Sequence, residues 1–216
     1  MTPQQLDELG SQISHDLKDA LKSISLNLDF ILRGLKEKNL DFSKDRAEEA
    51  RATSQKLIRF IDGLIGLSVA GRAKADEVFK MNDVVFESIE ELSDLISVYR
   101  PQIDVGDLGE VKADSYLLKE VWRQLIDNAI RYGFPREAQP KISIGRSQNI
   151  FYIKDAGQGV PDSEMSKLFS SITKSSENKM SMGLGLLFCR RVIERLGGKI
   201  WYEKRDGETC FLFSLA

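Results

Sequence analysis

Along the first seventy residues, apolar side chains recur in alternating steps of three and four: Leu6, Leu9, Ile13, Leu17, Ala20, Ile24, Leu28, Ile31 and Leu35. That spacing keeps one stripe on one face of a helix, in the manner of a coiled-coil seam. Asn39 and Asp41, both turn formers, mark a break over residues 38–43. A second seam then runs through Ala50, Ser54, Leu57, Ile61, Leu64 and Ser68. Two long helices joined by a tight loop form an antiparallel hairpin. A lone hairpin leaves much of its stripe wet, so the pattern predicts a homodimer in which two hairpins make a four-helix bundle.

The seam stops and charge rises at Gly71-Arg72-Ala73-Lys74-Ala75-Asp76, which divides the chain into domains 1–75 and 76–216. Beyond it the periodicity is mixed. Asn82 is placed to cap a helix through Val98, stopped by Pro101. Short extended pieces follow at residues 103–105 and at Val111, and Asp114 then caps a helix to about Tyr132. Alternating β-branched residues at 142–145 and 150–154 predict a pair of strands. A helix over 184–196 ends at Gly197-Gly198, and strands at 199–203 and 209–215 close the chain. The second domain thus reads as a mixed sheet with helices on one face.

Composition narrows the class. Of 216 residues, 42% are hydrophobic and 30% charged, as in a soluble globular protein. A net charge of -2 supplies no global basic field for nucleic acid or an anionic membrane. Cys189 and Cys210 lack metal-ligand spacing and read as reduced thiols. No apolar run approaches a bilayer span and no signal-peptide pattern opens the chain, so a cytoplasmic location is expected.

The single histidine, His15, lies about 200° around the helix from both Ile13 and Leu17, at 100° per residue. It therefore faces away from the seam. A neutral imidazole exposed there can attack through one ring nitrogen, and Asp16 can accept its proton or hold its tautomer. Taken alone, one histidine on a helix is more often a surface residue.

Gln124 and Asn128 stand one turn apart, about 5–6 Å between Cβ atoms. A carboxamide oxygen is a neutral, hard ligand for Mg²⁺, and Arg131 can meet a phosphate from the same face. A solvated helix face explains the pair equally well. In Asp155-Ala156-Gly157-Gln158-Gly159, directly after a strand, the glycines permit a sharp bend or close approach to a ligand. Asp155 can there accept a hydrogen bond from an exocyclic amine such as that of adenine, although a plain hairpin turn accounts for these residues too. Gly183-Leu184-Gly185-Leu186 opens a helix, where free N–H groups and the dipole attract anions. It is neither a Walker loop nor a dinucleotide fingerprint. Between the glycine clusters, residues 160–182, anchored by Leu168, Phe169 and Ile172, read as a lid.

In their order and spacing these segments resemble, over essentially the whole chain, the catalytic core of a two-component sensor histidine kinase. Ser14-His15-Asp16-Leu17-Lys18 resembles the phosphoacceptor box, and the run from Gln124 to Tyr132 the N box. Residues 155–159 resemble the first glycine box, Leu168-Phe169 the F box, and Gly183 to Leu186 the second glycine box. Gly197-Gly198-Lys199-Ile200 and Phe211-Leu212-Phe213 follow the closing pattern. The resemblance implies an α+β protein: a helical hairpin forming a dimeric four-helix bundle, then an α/β sandwich ATP-binding domain of the GHKL (Bergerat) type. It implies ATP and Mg²⁺, with Asp155 on the adenine amino group and Asn128 holding Mg²⁺ against the triphosphate. It places Arg131, Tyr132, Gly157, Gly159, Gly183, Leu184, Gly185 and Leu186 in the nucleotide bed. It implies transfer of the γ-phosphoryl to His15, with Asp16 and Gln124 assisting, and then to an aspartate of a response-regulator receiver domain. The signal would come from an upstream region or a separate sensor partner.

Three positions depart from the family pattern. Ala20 replaces a usual proline, so the helix should lack a bend there. Asp19 stands where Thr or Asn orients water, which implies poor phosphatase activity because its charge repels a phosphoryl anion. Gln124 replaces an asparagine and is one methylene longer, which implies a weaker kinase. An alternative is a phosphotransfer or scaffold protein of the same architecture with weak or absent ATP binding. Asn128, Asp155 and the four glycines argue against it. An ATPase or serine kinase is a third class, which the hairpin bearing His15 argues against.

Overall fold

The computed structural model describes residues 3–70, 77–133, 141–157, 159–161, 165, 168–169, 184–205 and 208–216. The chain divides into two compact units, Met1–Asp62 and Gly63–Ala216. Residues 71–76, where the sequence suggests a boundary, lie outside the described residues.

The first unit is a hairpin of α1 (Pro3–Lys36) and the greater part of α2 (Leu40–Ala70), whose last residues, from Gly63, are counted with the second unit. Lys38 adopts a left-handed conformation with φ 56°. Its N–H donates to the Leu35 carbonyl at 3.2 Å, and that of Asn39 to the Gly34 carbonyl at 2.8 Å, closing α1 in a Schellman turn. Asn39 then starts α2, its Oδ1 accepting from the Phe42 N–H at 3.1 Å. The interruption expected over 38–43 is therefore shorter, because one asparagine finishes the first helix and caps the second. Among the described residues of this unit, Asn27, Gly34, Ser43 and Ala50 are the buried positions. Gly34 permits the close approach, since a Cβ there would overlap the Ser43 hydroxyl. Small residues thus form the contact inside the hairpin, while seam members Leu28 and Leu35 stay half-exposed.

The second unit is built on a five-stranded mixed sheet in the order β2-β4-β5-β7-β6. Its strands are β2 (Gln102–Val105), β4 (Lys141–Ser147), β5 (Ile150–Asp155), β6 (Lys199–Arg205) and β7 (Glu208–Ser214). Only β2 and β4 run parallel. Helix α5 (Ser115–Tyr132) packs on β5, α6 (Leu184–Arg195) on β6, and α3 (Met81–Glu91) on α5. Trp122, Phe151 and Phe213 form the centre, with the Trp122 and Phe151 rings 5.2 and 5.1 Å from Phe213. The Trp122 indole N–H donates to Met81 Sδ at 3.2 Å, which satisfies the one polar atom such burial would strand. A separate antiparallel ladder pairs β1 (Glu77–Lys80) with β3 (Glu110–Ala113).

Asp114 caps α5 as expected, its Oδ1 accepting from the Leu117 N–H at 3.0 Å. At the other end of the fold, Gly197 has φ 76° and closes α6, with Gly198 N–H donating to the Ile193 carbonyl at 2.9 Å. Asn82 does not cap a helix. It lies inside α3, and its side chain pins a loop instead, donating to the Gly106 carbonyl at 2.8 Å and accepting from the Leu108 N–H at 2.9 Å. The single helix expected to Val98 is two, because buried Leu92 (φ -97°, ψ 12°) interrupts it before α4 (Ser93–Tyr99). Among the described residues no helix is long and apolar enough to cross a membrane.

Candidate functional site

Strand β5 alternates, so Phe151, Ile153 and Asp155 all point into the core. Asp155 ends the strand, 4% exposed, and pairs in register with Thr209 of β7. Burial pushes its carboxyl up to about 6, against the opposing pull of the Gly157 N–H and the Thr209 side chain; Glu208 adds to the rise. Asp155 Oδ1 accepts from the Gly157 N–H at 2.9 Å, and the Thr209 hydroxyl donates to the Gly157 carbonyl at 3.4 Å.

Gly157 is a close-approach glycine. A Cβ there would lie 2.7 Å from Asp155 Oδ1, 2.8 Å from the Tyr132 carbonyl and 2.9 Å from Gly133 Cα. The turn after β5 is therefore pressed against the C-terminal end of α5. Gly133 completes the fit, since its own Cβ would lie 2.8 Å from Asp155 Cβ. Two residues on, Gly159 has φ 80°, and the Val160 N–H donates to the Tyr202 hydroxyl at 3.1 Å.

A second contact lies farther back along α5. Gln124 donates through Nε2 to Glu120 Oε1 at 2.7 Å, and Arg123 Nε donates to Glu120 Oε2 at 2.7 Å. Gln124 Oε1 lies against Gly185, where a Cβ would overlap it. The start of α6 thus meets α5 at Gln124, and the glycine turn meets it at Tyr132 and Gly133. Asn128, half-buried, stands one turn from each of these contacts on the same face. Carboxamides beside a helix N-terminus fit a magnesium–phosphate group, which wants hard oxygens and backbone N–H donors. Arg131 is less available than expected: its Nε donates to both oxygens of Asp127, at 3.0 and 2.9 Å. Tyr132 is exposed, and Gly185 and Leu186 are half-buried. Leu168 and Phe169 pack against the core, Phe169 edge-on to Phe211 at 6.3 Å. Gly183, the side chain of Leu184, Ile172 and most of the expected lid lie outside the described residues.

The first unit carries the other chemistry. The His15 side chain is 72% exposed, as its position opposite the seam requires, and its Nδ1 lies 3.2 Å from Asp19 Oδ2. The side chain of Asp16 lies outside the described residues. Sequence reasoning did not single out Gly133, Glu120, Tyr202 or Thr209. Glu120 lies one turn before Gln124 and Gly133 directly follows Tyr132, so both had a local signal; Thr209 and Tyr202 are joined to the site by strand register and chain reversal.

The sequence and the fold are both similar to those of known proteins. Residues 113–216 match the family described as Histidine kinase-, DNA gyrase B-, and HSP90-like ATPase. The chain is 27% identical to the methanogenesis regulatory histidine kinase FilI of Methanothrix harundinacea, over 94% of this chain and 24% of that protein. It spans about a quarter to three fifths of the length of the first curated relatives it matches. The Acinetobacter baumannii histidine kinase AdeS has the same fold, with TM-score 0.65 and 22% identity over 94% of this chain and 97% of that one. So does the histidine kinase ThkA, solved in complex with the response regulator protein TrrA, with TM-score 0.66 and 20% identity over 97% of this chain and 61% of that one.

Proposed function

We propose that this chain, a two-component sensor histidine kinase catalytic core in fold and sequence, is an ATP-dependent protein-histidine kinase that phosphorylates its own His15. The observation that carries the reading is Asp155, a carboxylate buried at a strand end beside a glycine turn that only a residue without Cβ can make. Burial of that charge lowers stability, and a hydrogen bond from the exocyclic amine of adenine compensates for it. Gly157, Gly159, Gly183, Leu184, Gly185 and Leu186 then form the bed for the phosphates. Arg131, oriented by Asp127, and Tyr132 border it. Asn128, with Gln124 one turn away, holds Mg²⁺ through the phosphates, and the ion supplies charge neutralisation for phosphoryl transfer. His15 is the acceptor and Asp16 its proton acceptor.

In this reading residues 1–75 form the dimerisation and phosphotransfer hairpin and residues 76–216 the catalytic domain. The exposed Leu21, Leu28, Leu32 and Leu35 of α1 support a homodimer, since association would remove them from water. The phosphoryl group passes on to an aspartate of a response-regulator receiver domain, in keeping with the partner seen with ThkA. The need for ATP and the two buried cysteines suit the cytoplasm.

The deciding experiment incubates the chain with γ-labelled ATP and Mg²⁺ beside a His15→Gln variant, with ATP binding measured separately. The expected label is acid-labile, alkali-stable and absent from the variant. Failure to bind ATP would overturn the kinase reading in favour of a phosphotransfer or scaffold protein.

A further inference from the structure

We infer that Asp19 is a positioning residue for phosphoryl transfer, fixing the imidazole tautomer that leaves His15 Nε2 as the nucleophile. The inference rests on His15 being the acceptor. Its basis is the approach of Asp19 Oδ2 to His15 Nδ1 at 3.2 Å, one helical turn apart on α1. An ionised carboxylate can only accept hydrogen bonds, so the nitrogen facing it is the one that carries the proton. In the neutral ring the lone pair then belongs to Nε2. Both side chains are more than half exposed, at 72% and 54%.

The step balances as follows. The Nε2 lone pair forms the N–P bond to the γ-phosphorus while the bond to the bridging oxygen breaks, and that electron pair leaves with ADP. The Nδ1 proton stays on the ring, whose new positive charge the Asp19 carboxylate balances, until the product has formed, and is then given up to Asp16. Because the carboxylate engages Nδ1, its charge is held away from the nitrogen that meets the phosphoryl group. Asp19 on this view favours phosphorylation of His15, whatever it does to hydrolysis on a partner.

The chain contains one histidine, so a proton–nitrogen correlation spectrum of the ¹⁵N-labelled full chain reports a single imidazole. Wild type is expected to populate mainly the Nδ1–H tautomer, and Asp19→Ala to shift toward Nε2–H. Autophosphorylation by Asp19→Ala should slow by on the order of tenfold to a hundredfold, with KM for ATP unchanged. Asp19→Asn keeps an oxygen acceptor without the charge, so it should retain the tautomer and recover much of the rate. An unchanged tautomer ratio and rate in Asp19→Ala would overturn the inference. The spectrum needs no ATP, so a wild-type chain that shifts as expected but never labels would overturn the kinase reading alone.

Discussion

Leu28 and Leu32 of the hairpin are 51% and 59% exposed, whereas Leu118 and Leu125 of the second unit are fully buried. The polar chemistry is distributed the other way around in consequence. His15 stands in solvent on the loosely covered unit, while Asp155 is sealed at a strand end of the densely packed one. The phosphoryl acceptor proposed above must be reached by one donor and one recipient, which needs an open helix face. A nucleotide bed needs donors and acceptors that do not move, and close packing supplies that fixity. Apolar surface is therefore used differently in the two units: it is packed inside the second and left exposed on the first.

The largest effect expected to test this contrast comes from Trp122, fully buried between Phe151 and Phe213. Trp122→Ala should destabilise the second unit by about 3–5 kcal/mol, through the cavity and the lost ring contacts. Fluorescence of Trp201 should report a lower urea midpoint while amide protection in α1 persists. Equal loss of protection in α1 would break the division into two units.

Next comes Asp155. Its folded-state carboxyl titrates at about 6 against an ordinary value of 3.8. The native state thus holds the proton more tightly, and stability falls as pH rises from about 4 to about 6. Above that range, burial of the ionised group costs up to about 3 kcal/mol. Asp155→Asn should accordingly be more stable than wild type at pH 7 to 8, with the gap closing toward pH 4, as thermal melts across that range would show. Its ATP affinity at neutral pH should drop at least tenfold, an order of magnitude set by losing a charged acceptor. Wild-type affinity should itself weaken as pH falls through 6, because a protonated carboxyl is the poorer acceptor. A variant with lower stability and unaltered ATP binding would remove Asp155 from the site.

The parts legible in the sequence were those whose cause is local. Asp114 caps the helix it precedes, Gly197 takes the left-handed conformation that ends α6, and Asp155 lies where strand alternation turns it inward. Asn82 misled because its polar side chain has two local uses, and the competing one lies in a loop more than twenty residues on. Thr209 and Tyr202 carried no signal, since nothing in a single strand announces which neighbour it will face. The β5–β7 register sets Thr209 opposite Asp155, and chain reversal brings Tyr202 onto the backbone after Gly159. Leu28 and Leu35 fit the apolar seam, but the seam does not say which of two helix faces belongs to the hairpin and which to a partner.

The smallest effects sharpen the contrast most finely, because both units use a capping side chain of the same kind. Asn39 accepts from the Phe42 N–H in the hairpin, and Asp114 from the Leu117 N–H in the second unit, at 3.1 and 3.0 Å. Removing either cap with alanine should cost about 1 kcal/mol. The consequences should nevertheless differ. Asp114→Ala weakens a helix that already lies against a filled core, so the melting temperature of that unit should be the same at every protein concentration. Asn39→Ala weakens a hairpin whose leucines would be covered by the proposed association, while the backbone bond from Asn39 N–H to the Gly34 carbonyl still closes α1. Its melting temperature, like that of the wild-type hairpin, should rise with protein concentration, since mass action favours the dimer. Calorimetry of both variants over a hundredfold range of concentration separates the two cases. A hairpin melting temperature independent of concentration would mean that the hairpin is stable alone and that its exposed leucines are not a dimer face.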